Sequence, residues 1–338
     1  MKDTGDMRVR RKTSADGLAL FDEEPEFAKK YAAKLRDLAG RGVWFGTSSW
    51  VYTGWRGIVY RPSIKSEAEL QRVALREYAR VFPTACADWS FYDFPDPELV
   101  DRYHMETPED FRLAFKVTDL ITMHRYPFIK DRWGDKAGQL NPDFLNAPKF
   151  VEKFLRRLET LQERLGPIIL EFSPIRWSDI TPKRFLQQLD QFLAELPSGF
   201  RYSVEIRNVE LLTNEYLEIL HRHGVAHVLN SWTAMPPIDE QLEQEKTITA
   251  DFTVVRALLK PGRDYQEAVN LFRPYQKTRE ILPDVRKTME GLAVRFLQSG
   301  KTVYFFVNNR LEGNAPFTIA AVVDGIETHL VVNPDTVH

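Results

Sequence analysis

The sequence is poor in the residues that build disulfides and histidine-rich metal sites: its 338 residues include one cysteine, Cys86, and seven histidines. A disulfide within the chain is therefore excluded, and a reducing, cytoplasmic location is expected. No apolar run approaches the roughly 20 residues of a membrane span. The polar N-terminus also lacks the apolar core of a signal peptide, so we expect no membrane partner.

Neither sign of charge dominates, because 46 Lys and Arg residues face 48 Asp and Glu residues, which gives a formal net charge of −2. The chain therefore lacks the global basic field that attracts nucleic acid. A local basic groove is still compatible with this composition. Nucleic acid is thus an open partner, but not a favoured one.

We predict three segments along the chain. Residues 1–42 form an N-terminal extension, residues 43–330 a single domain, and residues 331–338 a C-terminal tail. The extension begins with a polar stretch that is expected to be partly disordered. Apolar residues at helical spacing then predict a helix over Phe27–Ala39.

Strand and helix patterns alternate through the rest of the chain. The predicted strands are Val43–Ser48, Thr84–Trp89, Phe111–Val117, Ile168–Phe172, Tyr202–Arg207, Val225–Asn230, Phe252–Ala257 and Thr302–Val307. The helices predicted between and after them are Ser66–Phe82, Asp96–His104, Asp143–Leu165, Thr181–Leu196, Glu210–His223, Tyr265–Ile281, Asp284–Gln298 and one that begins at Phe317. Only Thr118–Asn141 is long and irregular, which is typical of functional loops.

Eight such repeats predict a parallel sheet with right-handed crossovers, closed into a single (β/α)8 TIM-type barrel. An open doubly wound sheet is the competing architecture. It would need a glycine-rich phosphate turn after the first strand, and the stretch GTSSWVYTGWRG does not have that spacing. The barrel is therefore the favoured fold.

Polar residues collect where the predicted strands end, which in a barrel is the face that carries the active site. These residues are Ser48, Asp88, Lys116, Glu171, Glu205, Arg207, Asn230, Arg256, Asn308 and Asn309. Alternation along each strand points them at the barrel axis, with small residues such as Cys86 and Ala114 behind them. Bulky residues should then face the helices. The resulting cavity would hold three carboxylates, three cations and two or three amides.

Several short motifs resemble those of the YecE-like proteins, a domain of unknown function with the number 72. They include Gly46–Tyr52 with Trp55, the pair Phe91-Tyr92, and the run Glu205-Ile206-Arg207. Lys116 followed by His124, and the pair Asn308-Asn309 before Gly313, also match. The resemblance covers roughly Val43 to Gly325. It implies a TIM-barrel-like fold and brings no established activity.

This chain also departs from the pattern that it resembles. Cys86 stands where the family usually has glutamate, Glu171 where glutamine is common, and Asn230 where aspartate often ends the sixth strand. A carboxylate has in effect moved around the ring of strand ends. Catalytic roles therefore cannot be transferred simply from the family.

The leading hypothesis is a hydrolase- or lyase-type enzyme that acts on a small polar anionic ligand, such as a sugar phosphate or a nucleotide fragment. Glu205 would be the general base, Lys116 or His124 its acid partner, and Arg207 and Arg256 the clamps for the anion. The ligand would be oriented by amide, hydroxyl and aromatic side chains. These are Asn308, Asn309, Asn230, Ser48, Trp50, Tyr52, Trp55 and Tyr92.

Each of these assignments has a plainer alternative. Glu205 and Arg207 could be an ion pair that closes the barrel end, and the aromatic residues could pack the barrel top. Asn308 and Asn309 could cap the last loop. The cofactor, the oligomeric state and the substrate are not indicated by the sequence.

Three other functions stay open. Glu171 and Glu205 on adjacent strands should push one pKa up, and their spacing is typical of a retaining glycosidase. Asp88, His124 and the two glutamates could instead form the site of a metal-dependent, nuclease-like DNA-repair barrel. Lys116 and Arg256 would repel a metal ion, so no metal is expected. The third alternative is a non-catalytic ligand-binding barrel.

Overall fold

The computed structural model describes residues 23–332, so the polar start of the predicted N-terminal extension and the end of the predicted C-terminal tail lie outside the described residues. Within this range the strands form a closed, all-parallel barrel in which each strand pairs with the next and the last pairs with the first. The strands are β1 (Val43–Thr47), β2 (Thr84–Ala87), β3 (Arg112–Lys116), β4 (Leu165–Phe172), β5 (Tyr202–Ile206), β6 (Ala226–Asn230), β7 (Phe252–Ala257) and β8 (Thr302–Val307). The prediction of a (β/α)8 barrel is confirmed.

Helices surround the barrel. The longer ones are α1 (Glu26–Gly40), α2 (Glu67–Ala79), α3 (Pro97–Glu106), α4 (Ala147–Lys153), α5 (Pro182–Ala194), α6 (Asn214–Arg222), α7 (Ile238–Glu243), α8 (Tyr265–Phe272), α9 (Pro283–Ser299) and α10 (Ala315–Val332). Single helical turns are Asp119–Thr122, Lys130–Trp133 and Asn309–Glu312, and 3-10 segments are Thr53–Trp55, Asp88–Phe91, Gly134–Lys136, Leu155–Arg164 and Val209–Leu211. Helix α5 begins as predicted, since the Thr181 side chain accepts a hydrogen bond from the backbone of Arg184.

Two predicted helices are wrong in extent. The helix expected over Asp143–Leu165 begins only at Ala147, and it continues as a 3-10 segment in which Gln162 has a positive φ of 46°. The helix expected over Tyr265–Ile281 ends at Phe272. Pro274 has no N–H to continue a helix, and Tyr275 takes a positive φ of 65°. Apolar spacing continues through both breaks, which is why the sequence pattern did not reveal them.

The barrel interior is packed differently on its two sides. Strands β2, β3, β4 and β6 point small or medium residues inward, such as Cys86, Ala114 and Val228. Strands β1, β7 and β8 fill the opposite side with Trp44, Phe252, Tyr304 and Phe306. Trp44 and Tyr304 stack at 5.7 Å. Bulky residues such as Phe45 and Phe305 lie in the core on the helix side, as expected, but those of the second group depart from that expectation. Small side chains on one wall of the barrel leave space that large ones on the other wall must fill.

Helix α10 is the one described helix that is long and apolar enough to cross a membrane by length and composition, and 44% of it is buried inside the structure. Its apolar residues Ile319, Val322, Val323 and Ile326 are buried in the main core. Helix α1 packs beside it, where the Tyr31 hydroxyl donates to Asp324 at 2.8 Å. The length and the apolar composition of α10 are therefore also those of a helix that packs in the core of a barrel.

Candidate ligand site at the carboxyl ends of the strands

Six charged side chains from five of the strand ends meet at the carboxyl end of the barrel. We call Asp88, Lys116, Glu171, Glu205, Arg207 and Arg256 the charged ring. Its centre is Glu171 Oε2, which lies 2.6 Å from Lys116 Nζ, 2.8 Å from Arg207 Nη2 and 2.9 Å from Arg256 Nη1. One carboxylate oxygen on β4 thus contacts cations from β3, from the residue after β5, and from β7.

Arg256 connects the rest of the ring. Its Nη1 also donates to Glu205 Oε2 at 2.6 Å, and its Nη2 donates to Asp88 Oδ1 at 3.0 Å. The other oxygen of Glu205 accepts from Arg207 Nη2 at 3.2 Å. Glu171 and Glu205 are register partners on adjacent strands, as predicted. Three carboxylates and three cations therefore form one connected, formally neutral network.

The charges around Glu171 hold it in the ionised form. Burial opposes ionisation, but Lys116, Arg207 and Arg256 outweigh it and keep the pKa of Glu171 below its usual value. We expected the proximity of the two glutamates to raise one pKa; for Glu171 three cations reverse that effect. Burial likewise opposes the charge on Arg256, yet Glu205, Asp88 and Glu171 raise its pKa well above the ordinary value.

Next to the ring, Cys86 is fully buried, and burial together with the nearby Asp88 charge raises the pKa of its thiol well above the ordinary value. Cys86 is therefore a neutral packing residue rather than a reactive thiolate.

Three members of the ring, Asp88, Lys116 and Arg207, are partly exposed, and we call them its open edge. The side chains of Glu171, Glu205 and Arg256 are at most 2% exposed, whereas those of Asp88, Arg207 and Lys116 are 27%, 10% and 8% exposed. Aromatic rings flank both cations at this edge. Lys116 Nζ lies 4.1 Å from the centre of the Phe91 ring, and the Arg207 guanidinium lies 3.9 Å from that of Trp232. A ligand that reaches the ring would meet these cations and Asp88 first.

The predicted residues Asn230 and Asn308 make local hydrogen bonds, whereas the hydroxyl of Ser48 makes none among the described residues. Asn230 is fully buried, and its amide donates to the backbone of Ile206 while its oxygen accepts from Trp232 N–H. Asn308 caps the turn after β8 by accepting from Arg310 N–H at 3.0 Å. Ser48 is buried at the end of β1, and its hydroxyl has no hydrogen-bond partner among the described residues.

Asn309 ties the β8 loop to the β1 loop. Its Oδ1 accepts from the Trp55 indole at 3.2 Å and from Ala315 N–H at 2.8 Å. Trp55 is fully buried, so it packs inside the protein instead of stacking on a ligand as we predicted. The plainer alternative, in which these residues hold the barrel top together, is what the contacts of Asn309 and Trp55 describe.

The other predicted aromatic residues occupy different environments. Trp50 is buried, with its ring edge-on to Tyr103, whereas Tyr92 is 64% exposed. Tyr52 packs against Trp55. Burial raises the pKa of Tyr52 to about 12; the charge of Arg310 opposes this rise and that of Asp88 adds to it. Tyr52 is therefore a protonated hydroxyl whose electrostatic neighbours include a member of the ring.

His124 does not join the ring. The charged groups that act on it are Asp179 and Arg125, and burial lowers its pKa. Its imidazole packs edge-on against Phe144 at 5.0 Å. Residues 23–332 contain no group of three or more His, Cys, Asp or Glu side chains placed to hold a metal ion. The set proposed for a metal site is therefore not assembled, and each of its three carboxylates pairs with a cation instead.

One neighbour of the ring, Asp119, was not singled out from the sequence. The aromatic faces come from Phe91, which belongs to a motif noted in the sequence, and from Trp232; they lie in the segments that follow β2 and β6. Asp119 is buried after β3 and pairs with Arg132 at 2.7 Å. Burial raises its pKa to about 6, although Arg132 and Lys116 oppose the rise. The sequence signal that could have indicated Asp119 is its position three residues after the strand-end residue Lys116.

Comparisons with known proteins agree with the fold. The family model described as "Protein of unknown function DUF72" matches residues 44–336. The UPF0759 protein YecE of Escherichia coli strain K12 is 28% identical over 192 residues, which is 55% of this chain and 58% of that protein. The same protein from E. coli O157:H7 matches equally. The matched region thus spans 58% of the length of these curated relatives.

Two solved DUF72 family structures resemble the barrel. The protein from Thermotoga maritima has a TM-score of 0.56 and 17% identity, with 86% of this chain and 99% of that chain covered. The protein from Enterococcus faecalis V583 has a TM-score of 0.55 and 15% identity, with 86% and 97% covered. At these identities the likeness shows the fold alone.

Proposed function

Because this chain belongs to the DUF72 family, whose description assigns no activity, we propose a function from the charged ring itself: a hydrolase- or lyase-type enzyme that binds a small polar anion at the carboxyl ends of the strands. A sugar phosphate or a nucleotide fragment is the class of ligand that fits two adjacent cations beside aromatic faces. The observation that carries the proposal is a buried, balanced network of six charges that opens at one edge.

Stability alone is a poor reason for such a network. Removing charges from water costs several kcal/mol per ion, and well-packed apolar residues often serve a protein interior equally well or better. The network also lies on the face where barrel enzymes carry their sites. Both points support a ligand-binding role for the ring.

The exposures suggest how the roles divide. Lys116 and Arg207 lie at the open edge and would contact the anion, because each also has donors that the ring does not use. Asp88 is the most exposed carboxylate of the ring, at 27%, and Arg256 is the one guanidinium that pairs with it among residues 23–332. We therefore assign proton transfer to Asp88. The fully buried Glu205, which was first expected to be the base, would instead orient Arg256 and Arg207.

A second candidate is a barrel that binds the anion without turnover. Every carboxylate of the ring already pairs with a cation, and Glu171, the central one, is held in its ionised form. A general acid or base works best with a pKa near the working pH. This saturation of the carboxylates favours binding without chemistry.

The test begins with native mass spectrometry of the purified protein, which identifies any ligand that co-purifies. Calorimetric titration with inorganic phosphate then compares the wild type with Arg207→Gln, Asp88→Asn and the control Arg222→Gln, an exposed arginine paired with Asp190 on the outer helices. Arg207→Gln should weaken phosphate binding about tenfold or more, and the control should not.

Asp88→Asn separates the two candidates. An enzyme should lose turnover of the co-purified ligand in this variant while the ligand still binds. A binding barrel should show no turnover in the wild type. Phosphate that does not bind, or that binds all variants equally, would contradict an anion site at the ring.

A further inference from the structure

A cavity lies between the loops that follow β3 and β4. Its volume is about 430 Å³, and it is lined by residues 122–129, residues 173–176 and Asp179. No member of the charged ring lines it. A cavity of this size is in the range of small-molecule sites. We call it the His124 cavity.

The walls of the His124 cavity are fixed by hydrogen bonds between loops. Arg125 forms a bidentate pair with Asp179, with Nε–Oδ2 at 2.7 Å and Nη2–Oδ1 at 2.9 Å. The backbone of Ile175 donates to and accepts from the Asn208 side chain, at 2.7 and 3.2 Å. The cavity is thus largely formed without a ligand, which limits the entropy lost on binding.

An exposed aromatic ring, that of Phe128, lines this cavity. Phe128 is 71% exposed, but it lies close against the loop backbone: a Cβ on Gly138 would come within 2.2 Å of the Phe128 ring. Gly138 also has a φ of +79°, which favours glycine. The Arg176 guanidinium lies 6.0 Å from the centre of the Phe128 ring. An exposed apolar surface is therefore held next to a cation.

Two arginines line the cavity. Arg125 is committed to Asp179 and to the Gly138 carbonyl. Arg176, by contrast, forms no ion pair within 4.0 Å among residues 23–332, although Asp179 is close enough to feel its charge. It is the cation that the cavity can offer to a ligand.

His124 adds a neutral donor. Burial lowers its pKa, against the pull of Asp179, and its Nδ1 is buried without a partner in the part of the chain that the structure describes. A proton on Nδ1 would be an unpaired buried donor, which is costly. We therefore assign the proton to Nε2, where the imidazole can donate to an acceptor.

We propose that the His124 cavity binds a small aromatic carboxylate, with the carboxylate on Arg176 and His124 and the flat ring against Phe128. A monoanion suits a cavity that is lined by one uncommitted guanidinium and one neutral donor. The exposed face of Phe128 suits a flat apolar body rather than a hydroxylated one. This site does not depend on the function proposed for the charged ring.

The probe is benzoate, titrated calorimetrically into the wild-type protein, with benzamide as its uncharged counterpart. Benzoate should bind saturably, and benzamide about tenfold more weakly or worse. Arg176→Gln and Phe128→Ala should each weaken benzoate binding about tenfold. Both residues are exposed, so the variants should keep the wild-type melting temperature. Arg72→Gln, an exposed arginine on α2, should change nothing.

Three outcomes would overturn the proposal. One is the absence of saturable benzoate binding at millimolar concentrations. Another is undiminished binding by both Arg176→Gln and Phe128→Ala. The third is binding that Arg207→Gln abolishes and Arg176→Gln does not, since benzoate would then occupy the charged ring. Benzoate binding that survives Arg207→Gln supports a separate site, whatever phosphate does at the ring.

Discussion

The guanidinium of Arg256 and the carboxylate of Glu205 meet across the barrel interior, 2.6 Å apart, with at most 2% of either side chain exposed. The two residues come from β7 and β5, so the pair spans the intervening strand. Arg256 also contacts the carboxylates of Glu171 and Asp88. One arginine therefore contacts all three carboxylates of the charged ring.

Replacing Arg256 by an uncharged residue of similar length should strongly destabilise the folded protein. Arg256→Met would leave a cluster of carboxylates buried with less positive charge, and breaking a buried ion pair from one side costs about 3–5 kcal/mol. We expect a loss of that size in the free energy of unfolding, measured by urea titration with an unchanged slope.

The matched control is Arg222→Met, where the arginine is 59% exposed and pairs with Asp190 at 2.9 Å. Exposed ion pairs contribute at most about 1 kcal/mol, so this variant should stay close to the wild type. Equal losses in both variants would show that the burial of Arg256 does not matter.

The acid sensitivity of the protein should depend on Glu171. Its folded-state pKa lies below the usual 4.5, because the cations of the ring outweigh the effect of burial. The unfolded chain therefore takes up this proton more readily than the folded one. The stability contributed by ionised Glu171 is present above a pH of about 4.5 and is lost as the pH falls below that value.

Glu171→Gln should remove this dependence, so the stability of the wild type should fall more steeply below pH 4.5 than that of the variant. Urea unfolding over a series of pH values measures both slopes. Glu218→Gln, at a 60% exposed glutamate near Lys246, is the control and should follow the wild type. Parallel curves for Glu171→Gln and the wild type would mean that the ring does not perturb Glu171.

The charged ring could be predicted because a parallel barrel gathers all strand ends at one rim. Alternation along β4 and β5 was enough to place Glu171 and Glu205 side by side, and the register confirms it. What alternation cannot give is the reach of a long side chain. Arg256 on β7 contacts Asp88 beyond β2, and this contact depends on barrel closure rather than on any local pattern.

Other side chains escaped prediction because their partners come from distant loops. Asn309 and Trp55 lie far apart in sequence, and nothing near either one indicates that the indole donates to the amide. His124 matched a motif, yet the loop that carries it turns toward Asp179 rather than toward the ring. The fold fixes the positions of the strand ends, whereas a long loop can contact many different parts of the protein, and the sequence does not indicate which.

The hydrogen bonds of Asn309 to the loop after β1 and to α10 can be tested by mutation. Asn309→Ala removes the acceptor shared by Trp55 Nε1 and Ala315 N–H. Each buried donor left unpaired costs about 1–3 kcal/mol, so the melting curve should show a loss of at least about 2 kcal/mol. Asn270→Ala, an exposed amide whose side chain accepts only from Gln266, should stay within about 0.5 kcal/mol. Unchanged stability with weaker phosphate binding would instead restore Asn309 to the ligand site.

Replacing glycine by alanine should change the free energy of unfolding in opposite directions at two positions, Gly46 and Gly291. Gly46 lies on β1 opposite Thr84 on β2, and a Cβ there would sit 2.0 Å from the Thr84 carbonyl oxygen. Backbone cannot yield as a side chain can, so Gly46→Ala must push the two strands apart. We expect a loss of more than about 2 kcal/mol, as for severe overpacking.

Gly291 lies inside α9, and an added Cβ would meet no atom within 4 Å. Gly291→Ala should therefore stabilise the protein by about 0.5–1 kcal/mol, through the better helix propensity of alanine and a less flexible unfolded chain. Urea unfolding of both variants gives the two signs directly. If Gly46→Ala left the free energy of unfolding unchanged, β1 and β2 could not be as close as the barrel requires. The positions of the strand ends that carry the charged ring would then also be wrong.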